Sequence, residues 1–266
     1  MKVAVTGAGG RMGQETVRWI LKQQDMELVG AIEKGHLPGT DIGKVVSGEE
    51  CGIIVSHDLR SMLQKEKPEC LVDFTNGSEA PSNVLVAISH GVPSVVGTTG
   101  IKESDMEEMK RNAESSGIPV LVAPNFSMGA VLMMQFALMA SRYFHHAEIL
   151  ELHHDRKVDA PSGTALRTAQ MMADSGHEFF PCRASDEKLQ GVRGGEHRGI
   201  AIHSVRLPGL LAHQEVIFGG EGEVLTIRHD SMARSSFMPG VMLAIRRIRT
   251  LSGLTVGLEH LLELSG

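Results

Sequence analysis

The rhythm of apolar and polar positions changes once along this chain. Up to about residue 125, short aliphatic runs alternate with longer amphipathic stretches. Lys2–Thr6, Leu28–Ile32, Cys70–Phe74, Ser94–Gly97 and Val120–Ala123 read as strands. Arg11–Gln24, with Met12, Val17, Ile20 and Leu21 apolar among polar neighbours, reads as an amphipathic helix. So do Glu79–His90 and Glu103–Ser116, the latter stopped by Gly117 with Pro119 behind it. Strands alternating with helices predict βαβ units and a parallel, doubly wound sheet. Near Asn125 the pattern shifts. Val131–Phe144 is a Met-rich helical stretch and Ala147–Leu152 alternates like a strand. Gly199–Arg206, Glu215–Phe218 and Glu223–His229 then follow as strands joined by glycine-rich turns. Such a run predicts an antiparallel or mixed sheet. The polar stretch Ser185–Arg198 reads as a long mobile loop. Val241–Leu251 reads as a closing helix whose Arg246, Arg247 and Arg249 suit the negative end of its dipole. The fold class expected is α/β: a Rossmann-type domain followed by an α+β domain with a mixed open sheet.

Composition narrows the picture. A chain of 266 residues has room for about two domains. Its formal charge of −6 lacks the basic footprint that a nucleic-acid or anionic-membrane partner requires. Glycine, at 30 residues, is abundant, and aromatics make up only 4%. That balance suggests tight turns and close backbone approach to a ligand rather than a stacking platform. Cys51, Cys70 and Cys182 form no C-x-x-C pair and fit a reducing compartment. No secretory leader is visible, and Val131–Ala140 is too short to span a bilayer. A cytoplasmic protein is expected.

The first candidate for chemistry is Gly7-Ala8-Gly9-Gly10-Arg11-Met12-Gly13, set between the first strand and the first helix. Glycines here allow a tight turn, backbone approach to a pyrophosphate and close helix–strand packing. The helix N-terminus adds unpaired N–H groups, and Arg11 a charge. Glu33 ends the second strand twenty residues beyond Gly13, where an acid binds the ribose hydroxyls of NADH; Lys34 beside it suits the 2′-phosphate of NADPH or is simply a solvated lysine. Gly97-Thr98-Thr99 and Ala123-Pro124-Asn125-Phe126 each follow a strand, where ligand loops or ordinary turns of this fold lie.

The second candidate is Glu151-Leu152-His153-His154-Asp155-Arg156-Lys157-Val158-Asp159-Ala160-Pro161-Ser162-Gly163-Thr164-Ala165. Two histidines end a strand, a lysine follows in a short loop, and Pro161 opens a helix whose start offers the backbone of Ser162, Gly163 and Thr164. Together these groups suit carboxylate binding and proton donation near neutral pH. A metal site from His145, His146, His153, His154 and Asp155 lacks recognisable ligand spacing, so no metal is expected. The Met-rich helix reads as packing. Arg234 is a candidate for an anion site, and His36, His57, His90, His177, His197, His213 and His260 are given no role.

At this point the chain resembles the dihydrodipicolinate reductase family, over nearly its whole length. His153-His154-x-x-Lys157-x-Asp159-Ala160-Pro161-Ser162-Gly163-Thr164-Ala165 is the most specific element. The resemblance implies reduction of 4-hydroxy-tetrahydrodipicolinate by NADH or NADPH in diaminopimelate and lysine biosynthesis. Gly7, Ala8, Gly9, Gly10, Arg11 and Met12 would meet the pyrophosphate, and Glu33 and Lys34 the adenine ribose. Gly97, Thr98, Thr99, Ala123, Pro124, Asn125 and Phe126 would meet the nicotinamide half. His153 and Lys157 would be the proton-donating pair; His154, Ser162, Gly163 and Thr164 would bind the dicarboxylate. It further implies domains over 1–126 and 127–234, return of 235–266 to the first, and a homotetramer built through the second domain. Two other readings stand beside it: an aspartate- or homoserine-type dehydrogenase, and a regulator that binds NAD(P)H without turnover. The histidine–lysine signature argues against both.

Overall fold

The computed structural model describes residues 1–35, 37–182 and 186–263. His36, Ser185 and the end of the 235–266 segment lie outside these. The chain divides into two compact units, Met1–Phe126 with Phe237–Gly266, and Ser127–Ser236.

In the first unit, β1 (Lys2–Thr6), α1 (Arg11–Ile20), β2 (Glu27–Ile32), α2 (Ile42–Ser47), α3 (Leu59–Glu66), β3 (Cys70–Asp73), α4 (Ala80–Ser89), β4 (Ser94–Val96), α5 (Glu103–Ser116) and β5 (Val120–Val122) follow in order. All pairings in its six-stranded sheet are parallel, in the order β2-β1-β3-β4-β5 and then β11 (Leu254–Val256), contributed from the end of the chain. The central strands are buried on both faces, as a parallel sheet requires, and α3, α4 and α5 cover one of those faces. Leu59, Met62, Leu63 and Ala87 pack on Ala4, Ile32 and Leu71. Val84, Met109 and Ala113 pack on Val96, Val120 and Val122. The chain runs from β1 to β2 on one side and then crosses back to β3 on the other side of β1, a reversal at which this topology opens a ligand crevice at the carboxyl ends of its strands.

The second unit holds α6 (Met128–Ala140), β6 (His146–His153), α7 (Gly163–Asp174), β7 (Gly195–His197), β8 (Ile200–Arg206), β9 (Ala212–Gly220) and β10 (Glu223–Ser231). Its sheet runs β10-β9-β6-β8-β7, with β6 and β8 parallel and every other pair antiparallel. Ala147 and Ile149 of β6, Ile200 and Ile202 of β8 and Val216 and Phe218 of β9 face α6 and α7 across a core containing Ala137, Ala169 and Met172. The helix α8 (Met238–Arg247) returns to the first unit, where Arg246 pairs with Asp25 at 2.7 Å.

Several boundaries differ from the expectations. The helix expected over 131–144 begins at Met128, because Ser127 accepts a hydrogen bond from the Ala130 amide as its cap, and ends at Ala140. The helix expected over 11–24 stops at Ile20, and the closing helix spans 238–247 with a 3-10 turn behind it. The loop read over 185–198 contains a strand, Gly195–His197, paired antiparallel with β8. That strand is short and polar and carries no apolar alternation.

Candidate active site

In the first unit, the predicted phosphate loop sits between β1 and α1. Gly7 has φ +70°, and a Cβ there would lie 2.6 Å from the carbonyl oxygen of Phe74. A Cβ on Gly13 would lie 2.0 Å from the Gly7 carbonyl oxygen. No side chain caps α1, whose N-cap is Gly10, and Arg11 stands exposed at its first position. Glu33 reaches back to this loop, its carboxylate accepting from the Gly9 amide at 2.9 Å. Gly97 lies against the ring of Phe74, where a Cβ would come within 2.1 Å, and Phe74 meets the edge of Phe126. The structure thus brings Gly7–Met12, Glu33, Gly97–Thr99 and Ala123–Phe126 to the carboxyl ends of β1, β2, β4 and β5. A bare helix N-terminus, a cradle any side chain would fill and an acid beside it fit a dinucleotide.

Two features were not read from the sequence. Lys34 forms an ion pair with Glu79 at 2.9 Å. Asp73, fully buried at the end of β3, accepts from Thr6 Oγ1 at 2.7 Å, Thr75 Oγ1 at 2.6 Å and Asn83 Nδ2 at 2.8 Å. It thereby ties β1, the loop after β3 and α4 together beside the glycines. An acid closing an otherwise aliphatic run was the available signal.

In the second unit, the site forms where β6 and β8 end. Residues two apart on a strand share a face, so Glu151 and His153 continue the inward row of Ala147 and Ile149. The parallel register sets Arg206 opposite His153 and Ser204 opposite Glu151. Glu151 is fully buried and accepts from His153 Nδ1 at 2.5 Å, from Arg206 Nη2 at 2.7 Å and from Arg206 Nη1 at 3.0 Å. Burial alone would raise its pKa, but the hydrogen bonds from His153, Arg206 and Ser204 outweigh that and hold it down at about 2. An ionised carboxylate only accepts, so the proton of that contact sits on His153 Nδ1 and Nε2 is left for other work.

After β6 the chain turns tightly, the Lys157 amide donating to the His154 carbonyl at 3.1 Å. Lys157 Nζ lies 2.6 Å from Asp159 Oδ1, and this contact is the first reason the Asp159 carboxyl is held below its ordinary range. Nδ1 of His154 is buried without a hydrogen-bond partner, the kind of atom a polar ligand satisfies. Ser162 caps α7 through the Ala165 amide, leaving exposed Gly163 and half-buried Thr164 in the first turn. His153, His154, Lys157 and the start of α7 therefore belong to one end of one sheet.

Arg234, by contrast, stands exposed at the start of a 3-10 turn; the arginine bound into this site is Arg206. His145 and His146 are engaged with the carbonyls of Glu178 and Phe180. Among the described residues, no group of three His, Cys, Asp or Glu side chains is placed to hold a metal ion. Arg206 was missed in the sequence because it is fifty-three residues from His153 and only the sheet register joins them, and Glu151, though at the head of the signature segment, was given no role there.

A dinucleotide cradle in one unit and a histidine–lysine–arginine site at a helix N-terminus in the other define a nicotinamide-dependent oxidoreductase of two units. Comparison with known proteins carries this to a family. Residues 1–126 match the family model described as dihydrodipicolinate reductase, N-terminus, and residues 129–262 match dihydrodipicolinate reductase, C-terminus. The 4-hydroxy-tetrahydrodipicolinate reductase of Listeria innocua is 52% identical over 99% of this chain and 100% of its own length. That of Moorella thermoacetica is 48% identical over 99% and 98%. The dipicolinate-bound dihydrodipicolinate reductase from Paenisporosarcina sp. TG-14 superposes with a TM-score of 0.88 at 39% identity, covering 98% of this chain and 99% of that one. The chain belongs to the dihydrodipicolinate reductase family.

Proposed function

We propose that this protein reduces 4-hydroxy-tetrahydrodipicolinate to tetrahydrodipicolinate, using NADH or NADPH, in the route to diaminopimelate and lysine. Its balance is one substrate, one reduced coenzyme and one proton giving product, oxidised coenzyme and water. The observation that carries the reading is one buried carboxylate, Glu151, that joins His153 to the α7 N-terminus, with His154 and Lys157 on the short loop between them.

Gly7–Met12 and Glu33 would hold the dinucleotide, and Gly97, Thr98, Thr99 and Ala123–Phe126 its nicotinamide half, which when bound would supply the hydride. The protein's other work is charge and proton handling. The substrate carries two carboxylates, which the first-turn backbone at Gly163 and Thr164, the Ser162 side of the cap and His154 are suited to receive. His153, with its Nδ1–H bound to Glu151, presents Nε2, which gives up a proton from the imidazolium form of the ring. Lys157 presents a second donor from its ion pair with Asp159. The ring leaving its hydroxyl as water, and the carbon that regains a proton, both need such a donor. The relative described with dipicolinate bound, a planar dicarboxylate, supports this ligand chemistry.

Lys157→Ala tests the assignment. Turnover of the heterocycle is expected to fall by about 100-fold, the usual worth of a positioned proton donor, with coenzyme binding unchanged by calorimetry. Wild-type turnover in that variant contradicts the role.

A further inference from the structure

We propose that Glu151, paired with Arg206, is a positioning residue for this reaction: it fixes the His153 ring with Nδ1 protonated and holds the start of α7 where substrate carboxylates are received. The proposal rests on the function above and deepens it.

The geometry begins with strand alternation. The inward row of β6 runs Ala147, Ile149, Glu151, His153, and the first two are core residues packed under α6 and α7. An apolar side chain at position 151 would continue that core. A carboxylate there, without exposed surface, is costly unless every oxygen is met by a donor. The structure meets it from three segments. His153 Nδ1 donates from two residues ahead, Arg206 donates twice from the neighbouring strand, and the Ser162 amide donates at 3.2 Å from the residue that caps α7. Arg206 extends the same link, its Nη2 donating to the Asp159 carbonyl at 2.7 Å.

One ion pair therefore touches the signature at residues 153, 159 and 162, ahead of, within and behind the loop that carries Lys157. Removing it leaves the backbone path intact but frees three things: the tautomer of His153, its ring orientation and the approach of the cap to the strand. Orientation of a catalytic imidazole by a buried carboxylate is a general device. Here the same carboxylate also fastens the anion-binding end of a helix.

Two measurements on the full-length protein test this. In the wild type, ring-nitrogen NMR of His153, assigned by comparison with His153→Gln, is expected to show the neutral ring protonated at Nδ1. A ring protonated at Nε2 overturns the proposal, and this result needs no variant at position 151 to fold. In Glu151→Gln, kcat is expected to fall about 100-fold while the KM for coenzyme stays within about two-fold. An unchanged kcat, or equal losses in kcat and coenzyme KM with a lowered melting temperature, contradicts a positioning role. If wild-type protein fails to turn over the heterocycle, the proposed reaction falls, whereas the His153 tautomer still decides the positioning claim.

Discussion

At Glu33 and Lys34, two adjacent side chains of opposite charge are used differently. Glu33 turns to the glycine loop, whereas Lys34 is drawn away to Glu79. The ammonium of Lys34, itself mostly exposed, holds the Glu79 carboxyl below its ordinary range. An exposed pair of this kind is worth about 0.2–1 kcal/mol, so it competes with a 2′-phosphate without excluding it. Glu79→Gln is expected to raise the ratio of kcat/KM for NADPH over NADH by about two- to five-fold, measured by initial rates with each coenzyme; no change, or a fall, contradicts the competition. Glu151 gives a second expectation. Its pKa in the folded protein is about 2, below the ordinary 4.5, so its stabilising contribution is complete above pH 4.5 and is lost as pH falls toward 2. Thermal melts across that window are expected to show a shallower acid loss in Glu151→Gln than in the wild type. Of these groups, the sequence displays Glu33, Lys34, His153 and Lys157 through spacing alone. Glu79 and Arg206 act through partners that only the fold brings near, and Glu151, though close to His153 in sequence, shows its role only when Arg206 and Ser162 close on it.

The elements differ in how plainly the sequence displays them. The strands of the parallel sheet are buried on both faces and stand out as unbroken aliphatic runs. The segment 35–69, in contrast, hides α2 and α3. One is six residues long with Gly43 and two valines, and the other runs only eight. Both depend on aspartate caps, Asp41 and Asp58, more than on periodicity. β11 is three residues long and is recruited by β5 from the far end of the chain. The glycine loop allows a sharper test of local structure. An added methyl at position 13 meets fixed backbone, whereas one at position 9 meets the ends of the Leu37 and Glu33 side chains. Gly13→Ala is expected to cost roughly 2–4 kcal/mol of stability and abolish coenzyme binding. Gly9→Ala is expected to fold normally and bind coenzyme more weakly. Melting curves and NADH calorimetry distinguish them, and equal behaviour of the two variants contradicts the cradle.

For the molecule as a whole, the −6 charge gives no hint of anionic ligands. The cations that matter are few and local, and the net charge averages them away. Strand alternation in the second unit also sends Leu150, Leu152, Val205 and Ile217 to the sheet face opposite α6 and α7, each only partly buried. We propose, from the family resemblance, that this face serves a homotetramer; sedimentation at four times 28.7 kDa is the expected outcome, and a monomer contradicts it. The central claim, however, is catalytic. Its most direct test mixes the purified protein with NADH or NADPH and the condensation product of pyruvate and aspartate semialdehyde, following coenzyme absorbance and the product. Substrate-dependent oxidation, with one tetrahydrodipicolinate formed per coenzyme consumed, is the expected result. Coenzyme binding without substrate-dependent oxidation would contradict the account and favour a sensor of NAD(P)H.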